Sequence, residues 1–342
     1  MNKLEQEVVD VLASYQLSAY EVEVQSDKVY KAYTPVGPVA VKRSSLNRQT
    51  VQDWIEVYRK IENYRFQHVA PLYMTSEREL FVERQGAIYY VMPWIETPNR
   101  DTPPYPFEQL YRTIGKMHKR SLHTEVVKRE DYEELMTNRK TQLQNYRDVL
   151  SEWVTTFEQR HYMAPVELQF CTHYRDLDKV CEIGMDWCDR FLDDLEEDKQ
   201  IRTALIHGNV KPTHFLYDDS TPYLLNWERS KTYYPVYDIT TYFYHVLRYH
   251  DAPVNQLIST FSYYEEELPL LNSERCLLAL FLLNPEPYIH QVETYVNGAQ
   301  ANGQPFLVQK LERSYYVLRH AMDVQEQIEQ ARVYQEQQAE NS

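Results

Sequence analysis

The side chains that could do chemistry gather in Ala204–Glu228, ALIHGNVKPTHFLYDDSTPYLLNWE. It holds His207-Gly208-Asn209, then His214, the pair Asp218-Asp219, and Asn226-Trp227-Glu228. An amide has no basic lone pair at neutral pH, so neither Asn209 nor Asn226 can take a proton as a general base. His214 is an imidazole, a donor that suits zinc or copper better than magnesium, although a lone histidine more often hydrogen-bonds within its loop. Asp218-Asp219 fall between two short strand signals, where solvated turn acids are the rule. Far upstream, Val39-Ala40-Val41-Lys42 ends a strand on a lysine. Its ammonium can attract phosphates, but most lysines at such a place are simply solvated.

These groups need a frame. Leu4, Val8, Val11, Leu12 and Tyr15 recur at helical spacing over residues 3–16. Tyr20–Gln25 alternates with period two, and Val29–Tyr33 and Val39–Lys42 continue as strands. Asn47 can cap a helix running to Tyr64 with Val51, Ile55, Tyr58 and Ile61 inward. Glu79–Arg84 and Ile88–Trp94 read as two more strands around a Gln85-Gly86 turn. The proline-rich PNRDTPPYP, residues 98–106, then breaks the chain. Helical patterns dominate afterwards, over Phe107–Arg120, 130–160 and 174–199, and again from about residue 230. The expected organisation is an N-terminal lobe over 1–97, a mostly helical C-terminal lobe over 98–323, and a Gln/Glu-rich tail over 324–342, a helix that frays into disorder.

Composition sets limits. The chain has 342 residues, 43% hydrophobic and 25% charged, ordinary for one or two globular cores. A net charge of −15 excludes a global attraction to nucleic acid or anionic lipid. No apolar run is long enough to span a membrane, and the first residues, acidic within, do not read as a secretory signal. An intracellular protein is therefore expected. With 7 glycines, neither a G-x-G-x-x-G nor a Walker loop occurs. The 30 tyrosines read first as packing residues, and less readily as contacts within a larger solid assembly. Cys171, Cys181, Cys188 and Cys276 form no C-x-x-C pair and read as buried, reduced thiols.

In order and spacing, these pieces resemble the aminoglycoside phosphotransferase and choline kinase branch of the protein-kinase-like fold. There a strand leads into H-G-D-x-x-x-x-N, then two short strands, then D-[FW]-E. His207-Gly208 match the H-G pair; Asn209 falls on the catalytic Asp; His214 and Asn226 fall on the two metal-binding positions, with Glu228 following as the best remaining anion. The resemblance makes Lys42 the phosphate-binding lysine, with Glu56 or Glu62 as its ion-pair partner. It makes Tyr90–Ile95, including Met92 and Trp94, the strand that links the lobes and borders nucleotide. His207 and Asp238, the latter in Pro235-Val236-Tyr237-Asp238-Ile239, are implied to be structural braces of the catalytic loop. Lys42, Asn209, His214 and Asn226 are expected in one cleft between the lobes.

The fold implied is α+β and two-lobed, a small antiparallel sheet lobe with a larger helical lobe. Within it, VAVKRS (39–44), IYYVMPWIET (88–97) and LYRTIGKMHKRS (110–121) are similar to the spore coat kinase-like proteins of bacilli, the CotS family, nearest in order and lengths to its YutH members. That resemblance implies a catalytically impaired, pseudokinase member acting in the spore coat during sporulation, with other coat proteins as partners. No metal or cofactor is expected, and any ATP binding should be weak. The alternatives are a nucleotide-binding regulator without turnover, and a divergent small-molecule phosphotransferase working through Glu228.

Overall fold

A computed structural model of the chain describes residues 3–96, 106–218, 221–298 and 303–340. Most of the proline-rich break and Asp219 lie outside the described residues. The chain begins with α1 (Lys3–Ser14), β1 (Glu21–Val24), β2 (Val29–Thr34), β3 (Gly37–Arg43), α2 (Thr50–Asn63), β4 (Val82–Arg84) and β5 (Ala87–Pro93). Next come α3 (Phe107–Arg120), β6 (His123–Val126), α4 (Glu130–Glu158), α5 (Pro165–Asp198) and β7 (Gln200–Ile206). Then β8 (Phe215–Asp218), β9 (Thr221–Leu224) and β10 (Lys231–Tyr233) precede α6 (Val236–Leu247), α7 (Val254–Ser259) and α8 (Ser262–Glu267). The chain ends with α9 (Asn272–Leu282), α10 (Glu286–Val296) and α11 (Gln304–Glu340). The Gln/Glu-rich stretch from 324 is helical through Glu340, a continuation of α11.

Two compact units divide the chain, Met1–Thr113 with His207–Lys231, and Ile114–Ile206 with Thr232–Ser342. The break thus falls later than residue 97, and the motif-bearing segment packs with the N-terminal sheet.

That sheet is antiparallel throughout, in the order β1-β2-β3-β5-β4. Alternation along the strands serves two covered faces. Val39, Val41, Tyr89 and Val91 face Val8, Val11, Leu12 and Tyr15 of α1. Ala40, Ile88, Tyr90 and Met92 share the opposite cluster with Val51 and Trp54 of α2. Fully burying an aliphatic side chain of this kind contributes roughly 1.5–3 kcal/mol, so α1 is a working part of the core and no mere appendage. Gln85 and Gly86, both at positive φ (48° and 77°), close the two-residue hairpin between β4 and β5.

The buried stripe of α2 is Val51, Trp54, Val57 and Ile61. Ile55 and Tyr58 only flank it. Asn47 lies before the helix, and its Oδ1 accepts the N–H groups of Gln49 and Thr50 at 2.8 and 3.1 Å.

The second unit is mainly helical. In α4 the buried residues Met136, Leu143, Leu150 and Phe157 recur every seventh position. Phe170, Leu177, Gly184 and Phe191 do so in α5. Such spacing makes a coiled-coil-like seam. Gly184 fits it because a Cβ there would stand 3.1 Å from Leu143 Cδ1. Cys181, Cys188 and Cys276 are buried free thiols, and Cys171 is half-buried. Burial pushes the Cys181 thiol up to about 12, which keeps it protonated and unreactive. Among the described tyrosines, Tyr89, Tyr90, Tyr111, Tyr242, Tyr264 and Tyr288 are almost wholly buried, so packing accounts for much of the tyrosine content.

Candidate functional site

The segment after β7 is tied down before it carries any chemistry. Leu224 forms a parallel bridge with Val69, and its N–H donates to His68 O at 2.8 Å. The Leu225 N–H donates to His214 O at 2.8 Å. His207 is fully buried. Its Nε2–H donates to Leu225 O at 2.7 Å while its Nδ1 accepts the Asn209 N–H at 3.2 Å. Those two partners require the neutral Nε2–H tautomer, so the ring is a structural clamp. Gly208 (φ +74°) passes so close to the following turn that a Cβ would lie 2.2 Å from Arg229 O. Asn226 sits at φ 67°, ψ 61°, a left-handed conformation that Asn tolerates better than most residues. Trp227 is buried and donates its Nε1–H to Leu224 O at 3.0 Å. Asn226 and Glu228 thus flank an anchored indole.

Strand parity brings Lys42 to the same place. It follows Ala40 by two residues and pairs across the sheet with Tyr90, so it leaves β3 on the face covered by α2. Its Nζ is 5.5 Å from the centroid of the Tyr90 ring.

The result is a directed hydrogen-bond chain. His214 Nδ1–H donates to Asn209 O at 2.9 Å. Its Nε2 accepts the Asn226 amide N–H at 3.1 Å. Asn226 Oδ1 accepts from the Lys42 ammonium. Lys42 Nζ lies 3.0 Å from Glu228 Oε1, which also accepts the Tyr90 hydroxyl at 3.1 Å. Glu228 Oε2 accepts the Ser45 hydroxyl at 2.6 Å and the Ser45 N–H at 3.2 Å. Every member of this chain belongs to the sheet-bearing unit.

Both charged side chains are largely buried, Lys42 at 12% and Glu228 at 6% exposure, so each depends on the other. Burial pulls the Lys42 ammonium below its usual value against the attraction of Glu228. Burial also opposes ionisation of Glu228, but Lys42 and the Ser45 hydrogen bonds outweigh it and hold the carboxyl below its ordinary range. His214 is pushed down to about 2, first by burial and then by His207, Lys211 and Lys42. It stays neutral, as its two hydrogen bonds require.

This neutrality has a measurable consequence. His173, buried in the helical unit and stacked on Tyr315, is also lowered by burial, to about 4. Below the ordinary histidine pKa the unfolded chain takes up protons that neither folded ring accepts, so stability falls as pH drops from about 6.5 to 4. Denaturant unfolding should show a loss of about 2–3 kcal/mol from near pH 7 to about pH 5.5, with His173→Gln removing roughly half of it. A flat profile over that window would contradict the buried, neutral state of both rings.

The remaining candidates lie as follows. Lys42 does not pair with Glu56 or Glu62. Both acids are exposed, and Glu56 pairs instead with Arg59. The reason is the helical phase of α2: with Val51, Trp54, Val57 and Ile61 inward, Glu56 projects from the opposite face. Met92 is buried against α2, whereas Trp94 is half-buried and has the Lys31 ammonium 5.0 Å from its ring centroid. Asp238, in the helical unit, is fully buried with Oδ2 3.1 Å from His118 Nε2. His118 Nδ1 in turn meets the Tyr264 hydroxyl at 3.0 Å. The backbone of Asp218 ends β8. Sequence reasoning missed Ser45 and the pairing role of Tyr90. The available signal was spacing, since Ser45 follows Lys42 by three residues and Tyr90 begins the YVMPW strand.

An antiparallel sheet unit, a larger helical part and a strand–loop–strand segment carrying these groups define a kinase-like phosphotransferase fold. The chain belongs to the phosphotransferase enzyme family, APH, whose model matches residues 21–271. No curated protein matches it. Among solved structures it is similar to an aminoglycoside phosphotransferase from Alicyclobacillus acidocaldarius, with 16% identity, TM-score 0.69, and 94% of this chain and 96% of that one covered. A spectinomycin phosphotransferase bound to ADP and spectinomycin gives 13% identity and TM-score 0.62, covering 94% and 98%. The choline kinase LicA of Streptococcus pneumoniae gives 16% and 0.50, covering 93% and 99%. At these identities the likeness is one of fold. Among the described residues no helix is long and apolar enough to cross a membrane.

Proposed function

We propose that this member of the phosphotransferase family is a pseudokinase, a kinase-shaped scaffold that serves in assembly of the bacterial spore coat. The observation that carries the first half is the run Asn209–His214–Asn226–Lys42. The resemblance assigns catalytic-base and metal-binding roles to its first three positions, and all three are uncharged. Phosphoryl transfer in such folds needs a carboxylate to orient and deprotonate the attacking hydroxyl and anionic oxygens to hold magnesium. Loss of a positioned base alone removes about 10²–10⁴ in rate. The donors present do not fit magnesium, a hard cation that selects oxygen. His214 offers nitrogen, and that lone pair already accepts the Asn226 amide. Asn226 Oδ1 is engaged by Lys42, and both Glu228 oxygens are engaged by Lys42, Tyr90 and Ser45. The coat role rests on the resemblance to the CotS family and its YutH members, with other coat proteins as partners.

One observation favours a second reading, a nucleotide-binding regulator without turnover. Lys42 keeps its charge beside Glu228, and a phosphate oxygen could exchange for either oxygen partner. A thermal-shift titration with ATP, with and without magnesium, separates the readings. The pseudokinase scaffold is expected to give no shift. A metal-independent shift would favour the regulator. A magnesium-dependent shift with ADP formation would overturn both. The coat role predicts recovery of the protein in the coat extract of mature spores, and recovery solely from the soluble mother-cell fraction would oppose it.

A further inference from the structure

We propose that the chain associates with a second copy of itself through the free edge of β6, in a symmetric antiparallel pairing centred on Thr124. β6 ends its sheet: it pairs with β7 on one side, and no strand among the described residues pairs with its other side. All four of its residues are exposed, Val126 to 84%. An edge strand with unpaired backbone groups is a ready template for another strand. The Lys42 network belongs to the other unit and takes no part.

The register on β7 shows which backbone groups point outward. Glu125 lies opposite Ile201, and His123 opposite Thr203. One residue beyond the strand, the Val127 N–H donates to Lys199 O at 3.2 Å. In an antiparallel ladder, residues bonded to the partner strand alternate with residues that are not. Val127, Glu125 and His123 therefore turn their backbone groups toward β7. Val126, Thr124 and Leu122 turn theirs to the free edge.

The side chains choose the occupant and the register. A two-fold axis at Glu125 would set the two Glu125 carboxylates directly opposite each other, a destabilising pair. An axis at Thr124 sets each His123 against the copy's Glu125, and an imidazole N–H donates to a carboxylate in either charge state. It also sets the half-buried Leu122 against the copy's exposed Val126, and threonine against threonine. Thr124, Leu122 and Val126 are the residues whose backbone groups face outward, so the same register supplies the ladder hydrogen bonds. Each cross-strand pair is of a favourable kind. The edge is thus complementary to itself, as a symmetric interface between identical subunits requires.

Sedimentation velocity of the full chain tests this. The contact is short, so a reversible monomer–dimer equilibrium with a Kd of about 10–100 µM is expected, followed over a series reaching about 500 µM. Thr124→Pro removes the central outward N–H, which β7 does not use. Proline is tolerated on an edge strand with its nitrogen toward solvent, so this variant should fold and stay monomeric. Because a proline could still disturb β6, Glu125→Lys is the second variant. Position 125 is exposed, and the change replaces both attractive pairs with a cation facing an imidazole, which should weaken the dimer at least about tenfold. Adding His123→Glu to Glu125→Lys rebuilds the opposite-charge pairs with their signs reversed and should restore the dimer. A wild-type chain that remains monomeric through the series would overturn the proposal, whether or not a foreign strand binds the edge. So would dimerisation unchanged by Thr124→Pro or by Glu125→Lys, or a double variant that fails to recover it.

Discussion

Gly208→Ala is expected to cost about 3 kcal/mol of stability or more, combining a left-handed backbone penalty of about 1–2 with a steric clash of about 1–3. Gly208 lies at φ +74°, and the added Cβ would stand 2.2 Å from the Arg229 carbonyl oxygen and 2.9 Å from its carbon. Those are backbone atoms and cannot rotate aside. Arg229 closes the turn Trp227–Arg229 that carries Glu228, so relief of the clash must move the carboxylate away from Lys42 and Ser45. Gly86→Ala is the control. Gly86 has a similar φ of +77°, but no atom stands within 4 Å of the place a methyl group would take, so only the backbone penalty of about 1–2 kcal/mol applies. Denaturant unfolding of the two variants measures the difference. Equal losses would show that the close approach to Arg229 is not what requires glycine at 208.

The sheet was legible because alternation along β2 and β3 leaves few other places for their apolar residues. The H-G pair was legible because each member answers a local demand: His207 clamps the loop and Gly208 makes room for it. The partner of Lys42 was harder to read. Glu56 and Glu62 sit on the next helix, as the resemblance led one to expect, but a shift of one position in the inward stripe of α2 decides where each acid points. The apolar positions 51, 54, 55, 57, 58 and 61 admit more than one stripe, and packing of Trp54 against Tyr90 selects among them. Glu228 stood out as an anion beside an altered position, but it is remote from Lys42 along the chain and no local pattern links the two. The folding of Leu224 onto His68 and Val69 is what brings them together. The same tertiary contact explains why a boundary drawn along the sequence could not assign His207–Lys231 to the N-terminal unit.

Replacing Asn209 and Asn226 by Asp and His214 by Asn together is expected to create a magnesium site that the wild type lacks. At present the charges of Lys42 and Glu228 cancel. The two new carboxylates leave the site net negative, and they supply hard oxygen donors of the type magnesium selects. The single changes should fail, each for its own reason. Asn226→Asp alone removes the N–H that His214 Nε2 accepts, leaving a buried ring nitrogen without a donor at a cost of about 1–3 kcal/mol. Asn209→Asp alone adds a base with no anion at the metal position. His214→Asn alone supplies an amide oxygen where no charge holds the ion. Groups that act as a unit are non-additive, so the triple variant should exceed the sum of the three. Calorimetric titration with magnesium, followed by measurement of ATP hydrolysis, reads the result. Magnesium binding and ATP turnover by the unaltered chain would show that its amides and imidazole are a working variant of the family's chemistry, and the pseudokinase reading would fall.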